Sequence, residues 1–263
     1  MGKNSFKIAV VLLLLAVFAG SMLVAGCNSK VADVKTIKPG ILLVGSEGTY
    51  PPFEMSVDGK STGFDIDIAN ALAARLGLKA QTVKTKFKSM IPGLVAGNYD
   101  VIISAMTITP ARAKVISFSK PYMTADQSIC VRMNSGIKTS ADLAGKIVGV
   151  ETDTTGQLKA LELQKSVGIK KVQSFDNIKL AFEALEIGRI DAIINDFPVN
   201  AYMSAQTQNT EVASLIKTNE SYGIGVALRN AQMLAGVDKA LAAIKADGTY
   251  KSIYDKWFAP VTN

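Results

Sequence analysis

Ile91-Pro92-Gly93-Leu94-Val95-Ala96-Gly97-Asn98-Tyr99-Asp100-Val101-Ile102-Ile103-Ser104 reads as helix, glycine, turn, aspartate, apolar strand and polar end. Leu180-Ala181-Phe182-Glu183-Ala184-Leu185-Glu186-Ile187-Gly188-Arg189-Ile190-Asp191-Ala192-Ile193-Ile194-Asn195 reads the same way. The glycine suits the position just past a helix, where left-handed backbone ends the turn. The apolar run suits a strand buried on both faces. One supersecondary unit used twice suggests two lobes of similar construction. Helix-glycine-strand order is common in α/β chains, so the match needs the rest of the sequence. From Ile41 onward strands and helices alternate, which argues α/β with mostly parallel sheets flanked by helices.

Working outward, Ile41 to Val44 is a short apolar strand. Asp65 to Leu76 is helical, with Ile68, Ala69, Leu72 and Leu76 at helical spacing, Gly77 as the stop and Asp65 as the expected N-cap. Lys84, Lys86 and Lys88 alternate and are expected on the solvent face of a strand. The repeated unit also points to a site, because ligands of open α/β sheets bind beyond the carboxyl ends of strands. One unit ends in Ser104-Ala105-Met106-Thr107, with Arg112 soon after, and the other in Asn195-Asp196. If the lobes face each other, a cation and an anion stand on opposite walls, and a zwitterion would satisfy both.

The amino-terminal residues speak of destination. Lys3 and Lys7 precede the apolar run Ile8 to Val17, and Val24-Ala25-Gly26-Cys27 closes the segment. This reads as a secretory signal peptide over residues 1–26. The apolar run is shorter than the roughly 20 residues of a spanning helix unless Ala19 to Ala25 are added. Cys27 after small residues resembles a bacterial lipobox, which implies a lipid anchor at Cys27. A tether over residues 27–37 would join the anchor to the globular chain. The protein would then be extracytoplasmic and held at the cell membrane.

Composition narrows the chemistry. Of 263 residues none is histidine, which removes His-based triads, His general bases and most zinc sites. No metal and no cofactor is expected. The net charge is +7, and the leader's two lysines leave +5. Basic residues are scattered, which fits a chain near anionic lipid and shows no nucleic-acid signature. With Cys27 acylated, Cys130 lacks an intramolecular partner and reads as an inert, buried strand residue.

Motifs in a shared order then carry a resemblance. They are Tyr50-Pro51-Pro52-Phe53-Glu54, Gly63-Phe64-Asp65-Ile66-Asp67, Thr107-Ile108-Thr109-Pro110-Ala111-Arg112, Phe118-Ser119-Lys120-Pro121-Tyr122, Asp142-Leu143-Ala144-Gly145-Lys146 and Lys256-Trp257-Phe258. Together they resemble the bacterial extracellular solute-binding proteins of family 3, the polar amino-acid receptors of ABC importers. The resemblance implies a two-lobed periplasmic-binding-protein type II fold with the ligand cleft between lobes. Lobe 1 would be residues 38–122 and 220–263, and lobe 2 residues 123–219. It implies a monomer that binds a free L-amino acid and presents it to an ABC permease in the membrane.

Roles follow residue by residue. Arg112 is expected to grip the ligand α-carboxylate with paired charge-assisted bonds that lysine could not reproduce. Thr107 would add its hydroxyl and backbone N–H, beside Ser104 and Met106 on the same strand end. Thr154 and Thr155 open a helix whose free N–H groups could complete the carboxylate's shell, or simply cap it. Asp196 should pair with the α-ammonium, helped by the carbonyl of Ala105, where the family often has glycine. Tyr50 and Phe87 should sandwich the ligand side chain. Glu47 and Glu151 would together favour a cationic side chain such as arginine or lysine; alternatively Glu151 faces solvent and Glu47 caps a turn. Asn195 could bond a guanidinium or an amide. Not an enzyme is the reading, with two rivals kept: a cyclohexadienyl dehydratase-like enzyme on the same scaffold, and a sensory amino-acid-binding lipoprotein.

Overall fold

The computed structural model describes residues 34–258. The expectations of a signal peptide over 1–26, a lipid anchor at Cys27 and most of the tether lie outside the described residues.

Two five-stranded sheets dominate. The first is built from β1 (Ile41–Ser46), β4 (Lys79–Lys84), β5 (Val101–Ile102), β6 (Ile116–Phe118) and β14 (Gly225–Ala227), in the order β4-β1-β5-β14-β6. The second uses β8 (Gln127–Arg132), β9 (Ile147–Glu151), β10 (Lys171–Phe175), β11 (Ala192–Asp196) and β12 (Thr210–Ile216), in the order β10-β9-β11-β8-β12. In each sheet only the fourth strand, β14 or β8, runs against its neighbours. That reversed strand is where the chain arrives from the other sheet. The crossings touch through a short antiparallel ladder of β7 (Met123–Thr124) and β13 (Ser221–Tyr222). A hairpin, β2 (Met55–Val57) and β3 (Lys60–Thr62), follows the first strand.

The two sequence units fold alike. Helix α2 (Met90–Ala96) ends at left-handed Gly97 (φ 83°) and leads to β5. Helix α4 (Ile178–Glu186) is followed by left-handed Gly188 (φ 73°) and leads to β11. The aspartate before each strand makes the same reciprocal latch to the neighbouring strand. Asp100 donates its N–H to the Leu43 carbonyl and accepts the Leu43 N–H at 2.8 Å. Asp191 does the same with Ile147, again at 2.8 Å.

Helix α1 (Phe64–Leu76) buries Ile68, Leu72 and Leu76 and stops at Gly77 in left-handed backbone. Asp65 does not cap it. The cap position is Gly63 (φ 139°), where a Cβ would meet the Phe53 carbonyl oxygen at 2.1 Å. Asp65 points inward instead, accepting from the Ala105 N–H at 2.6 Å and the Tyr122 hydroxyl at 3.0 Å. Helices α6 (Ala231–Ala246) and α7 (Thr249–Phe258) pack on α1 and close an aromatic cluster of Phe53, Phe64, Tyr122, Tyr222 and Phe258. In the second sheet, α3 (Thr155–Val167) covers β9 and β11. Cys130 is fully buried in β8, and burial pushes its thiol up to about 11, so it is inert. Among the described residues no helix is long and apolar enough to cross a membrane.

Candidate functional site

A small, tightly closed pocket lies where the strand ends of the two sheets face each other. From the first sheet come Tyr50, Phe87, Ala105, Thr107 and Arg112; from the second, Thr154, Thr155 and Asp196. These eight of the thirteen expected ligand-site residues are brought together.

Arg112 reaches the cavity from the loop after Thr107. Its Nη1 donates to the Thr107 carbonyl at 2.9 Å and its Nη2 to the Asp153 carbonyl, on the other sheet, at 3.0 Å. The guanidinium lies 5.2 Å from the Phe87 ring centre, so Phe87 braces the arginine directly. Thr154 is the N-cap of α3, accepting the Gln157 N–H at 3.2 Å. Gly156 lets that first turn sit close to β11, because a Cβ there would stand 2.9 Å from the Ile194 carbonyl oxygen. Thr155 therefore faces Thr107, hydroxyl to hydroxyl at 3.5 Å. Ala105 holds left-handed backbone (φ 44°), a region that favours glycine, and the Asp65 bond to its N–H keeps it there.

Asp196 ends β11 on the opposite wall. Its carboxylate accepts from the Tyr50 hydroxyl at 2.8 Å, from the Tyr222 hydroxyl at 2.5 Å and from the Gln127 amide. Burial raises its pKa to about 6, against the pull of those donors. A ligand ammonium would relieve that strain on the charged form.

The remaining expected residues lie around the cavity. Glu47 follows β1 and Glu151 ends β9, the matching strand of the other sheet. Glu151 is buried with both carboxyl oxygens unreached by any other donor, as is Glu47 Oε2. The two carboxyls stand near enough that the charge of one bears on the other. Burial raises Glu47 to about 7, and burial together with the Glu47 charge raises Glu151 well above the carboxylate range. Glu151 thus does not face solvent. Asn195 accepts from the Tyr50 hydroxyl at 2.8 Å, while its amide nitrogen is buried without a partner. Ser104 turns beneath the site: its hydroxyl and that of Ser46 donate to the buried Glu54. Met106 packs into a core cluster with Met90, Leu94 and Tyr99, and its carbonyl accepts the Gly223 N–H at 3.0 Å.

Three residues that sequence reasoning missed join this network. Gln127 stands at the head of β8, Glu220 in the second crossing and Tyr222 in β13. None belongs to a spacing pattern; each is a polar residue beside a crossing of the chain. The alternating lysines also differ from expectation. The strand ends at Lys84, and Lys86 and Lys88 reach across to Asp176 of the other sheet at 2.6 and 3.3 Å. Among the described residues no group of three or more acidic or cysteine side chains is placed to hold a metal ion.

Two α/β lobes around a cleft, with an arginine and an aspartate on facing walls, define a bilobed receptor for a small charged solute. The chain belongs to the bacterial extracellular solute-binding proteins, family 3, which it matches over residues 42–260. It is 39% identical over 221 residues to ABC transporter arginine-binding protein 1 of Escherichia coli (strain K12), covering 81% of this chain and 89% of the relative. It is 38% identical over 232 residues to the L-cystine-binding protein TcyJ of the same organism, covering 85% of each. Among solved structures, an ancestral arginine-binding protein bound to arginine superposes with a TM-score of 0.80 at 41% identity, over 84% of this chain and 99% of that one. An ancestral amino acid-binding protein, AncCDT-1, a precursor of cyclohexadienyl dehydratase, gives 0.76 at 38% identity, over 83% and 95%.

Proposed function

We propose that this chain is the receptor of an ABC importer, anchored outside the membrane through Cys27, and that it captures a free basic L-amino acid by closure of its lobes. The observation that carries the reading is the pairing of Arg112 and Asp196 across one cavity. Arg112 and the N–H groups at the start of α3 take the α-carboxylate, with Thr107 beside them. Asp196 takes the α-ammonium in place of the Tyr50 hydroxyl. The Glu47–Glu151 pair then supplies negative charge for a cationic side chain, which donates where no protein donor reaches. An acidic ligand would place a further negative charge against that pair. The name of an arginine-binding relative supports this choice, and the name of a cystine-binding relative of nearly the same identity makes it worth testing.

The domain works as a monomer with two crossings near 122–126 and 215–221 serving as the hinge. The test is a thermal-shift screen of refolded protein against the twenty amino acids and ornithine. A ligand at 100 times its Kd adds about 2.7 kcal/mol to stability. Shifts limited to arginine, lysine, ornithine or histidine are expected. A dominant shift with glutamate would overturn basic specificity, and a shift with cystine would reassign it.

A dehydratase-like reading has one observation in its favour. Burial and the Glu47 charge bias Glu151 toward its protonated form, the direction a general acid needs. Turnover of a cyclohexadienyl acid to an aromatic product, followed by absorbance, with no stabilisation by any amino acid, would establish that reading.

A further inference from the structure

Glu220 carries a role that neither the motifs nor the family resemblance assigns. It lies in the second crossing between the sheets, between β12 and β13. Its backbone carbonyl accepts the Ala125 N–H of the first crossing at 3.1 Å, so the two crossings are joined at this residue. Its side chain turns toward the cavity. Oε2 accepts from the Thr155 hydroxyl at 3.0 Å and from the Gln127 amide nitrogen at 2.9 Å. That same nitrogen donates to Asp196. The Gln127 amide is therefore wedged between two carboxylates, one in the crossing and one in the site.

Building on the amino-acid reading above, we propose that Glu220 is a positioning residue that couples the crossing strands to head-group recognition. Its carboxylate orients Thr155, beside the expected α-carboxylate, and, through Gln127, Asp196, beside the expected α-ammonium. Together with the Ala125–Glu220 bond, these contacts draw on both crossings and on β8 and α3, so they assemble only when the crossings hold this arrangement. A change at the hinge thus alters both ends of the head-group site at once. Glu220 also adds a second negative charge behind Asp196, which favours an ammonium there and disfavours ionisation of Asp196 before it arrives. The groups facing Asp196 are Tyr50, Tyr222 and Gln127 by hydrogen bond, and Glu220, Glu151 and Arg112 by charge.

The test uses the mature chain, residues 27–263, with the variants E220Q and E220A. L-arginine is titrated calorimetrically from pH 5 to pH 8. E220A should weaken binding about ten-fold, the scale of one charge-assisted hydrogen bond, and E220Q less, since its amide oxygen still accepts from Thr155. The distinguishing readout is the acid limb of E220Q against that of wild type: Glu47 and Glu151 contribute to it in both, so a difference reports Asp196. In E220Q that limb should move to lower pH, because the neighbouring charge is gone. General damage to the fold would weaken binding without moving it. Affinity within two-fold of wild type, or an unmoved acid limb, overturns the coupling. Failure of the wild type to bind arginine or any other of the twenty amino acids overturns the receptor reading itself, and this inference with it.

Discussion

Strand β1 of the first sheet and β9 of the second hold the same place in their sheets, and each runs to a glutamate, Glu47 and Glu151. Strands β5 and β11 also match, down to the latch made by Asp100 and Asp191. Yet their tips diverge. Beyond β5 the chain turns through left-handed Ala105 and brings in Arg112; β11 ends on Asp196 and enters α5 (Phe197–Gln206) at once. Matched scaffolds thus present opposite charges across the cleft for the head group, and like charges where the side chain would go. The fold supplies the two walls, and a few residues past the strand ends decide what they bind.

The sharpest way to break that comparison is to remove one wall's charge. Arg112→Ala should abolish measurable amino-acid binding. Truncating one partner of a buried, hydrogen-bonded charge pair costs about 2–5 kcal/mol, or about 1.5 to 3.7 decades in Kd. Arg112→Lys should recover little, because an ammonium cannot reproduce the fork. Asp196→Asn should lose somewhat less, since the amide still accepts from Tyr50 and Tyr222. Calorimetry with L-arginine measures all three. If Arg112→Ala binds as well as wild type, the facing-charge account fails.

Next in size are the latches, which test whether the repeat is energetic as well as geometric. Asp100 accepts two backbone N–H groups, from Leu43 and Ile37 at 2.8 Å each, whereas among the described residues Asp191 accepts only that of Ile147. Replacing either by alanine leaves part-buried backbone donors without their acceptor, at up to about 1–3 kcal/mol each. Asp100→Ala should therefore lower the urea midpoint more than Asp191→Ala. Equal losses would mean that the Ile37 bond contributes nothing.

The like-charged pair gives a pH dependence. Glu47 rises to about 7 from an ordinary value of 4.5, and Glu151 shifts the same way. The folded state then binds more protons than the unfolded chain between those values, so stability falls as pH rises from about 4.5 to about 7. Glu54, held near 8, and Asp65, near 7, act with the same sign. Glu47→Gln should flatten part of the decline, on the order of 3 kcal/mol across the window. A cationic ligand reverses the sign for binding: arginine should bind tighter as pH rises from 5 to 8, and release protons. Proton uptake on binding would contradict a cation between Glu47 and Glu151.

Much of this was legible in the sequence, for physical reasons. Gly97 and Gly188 mark the two units because a helix stop needs left-handed backbone, and Asp100 and Asp191 sit at fixed distances after them. Arg112, Thr107, Tyr50 and Asp196 follow strand ends, where a short local pattern fixes position. Local patterns misled where a side chain answers to distant partners. Asp65 looks like a cap, yet Gly63 alone fits against the Phe53 carbonyl, and the carboxylate serves Ala105 and Tyr122. Gln127, Glu220 and Tyr222 were invisible because the crossings bring them together from far apart in the chain.

The lysines misread as a strand face yield the smallest expected effect. Lys86 and Lys88 clasp Asp176 at the rim, joining the same two sheets that Arg112 joins inside. Both lysines and the aspartate are well exposed, with side-chain accessibilities of 44–60%. Water competes for each charge, and salt screens what remains within about 10 Å at 0.1 M. Asp176→Asn should thus change arginine affinity by less than about two-fold at physiological salt. Any effect should shrink further at 0.5 M salt, whereas the loss in Arg112→Ala should persist there. A large, salt-resistant loss in Asp176→Asn would mean that closure is governed at the rim, and that the buried head-group contacts only follow it.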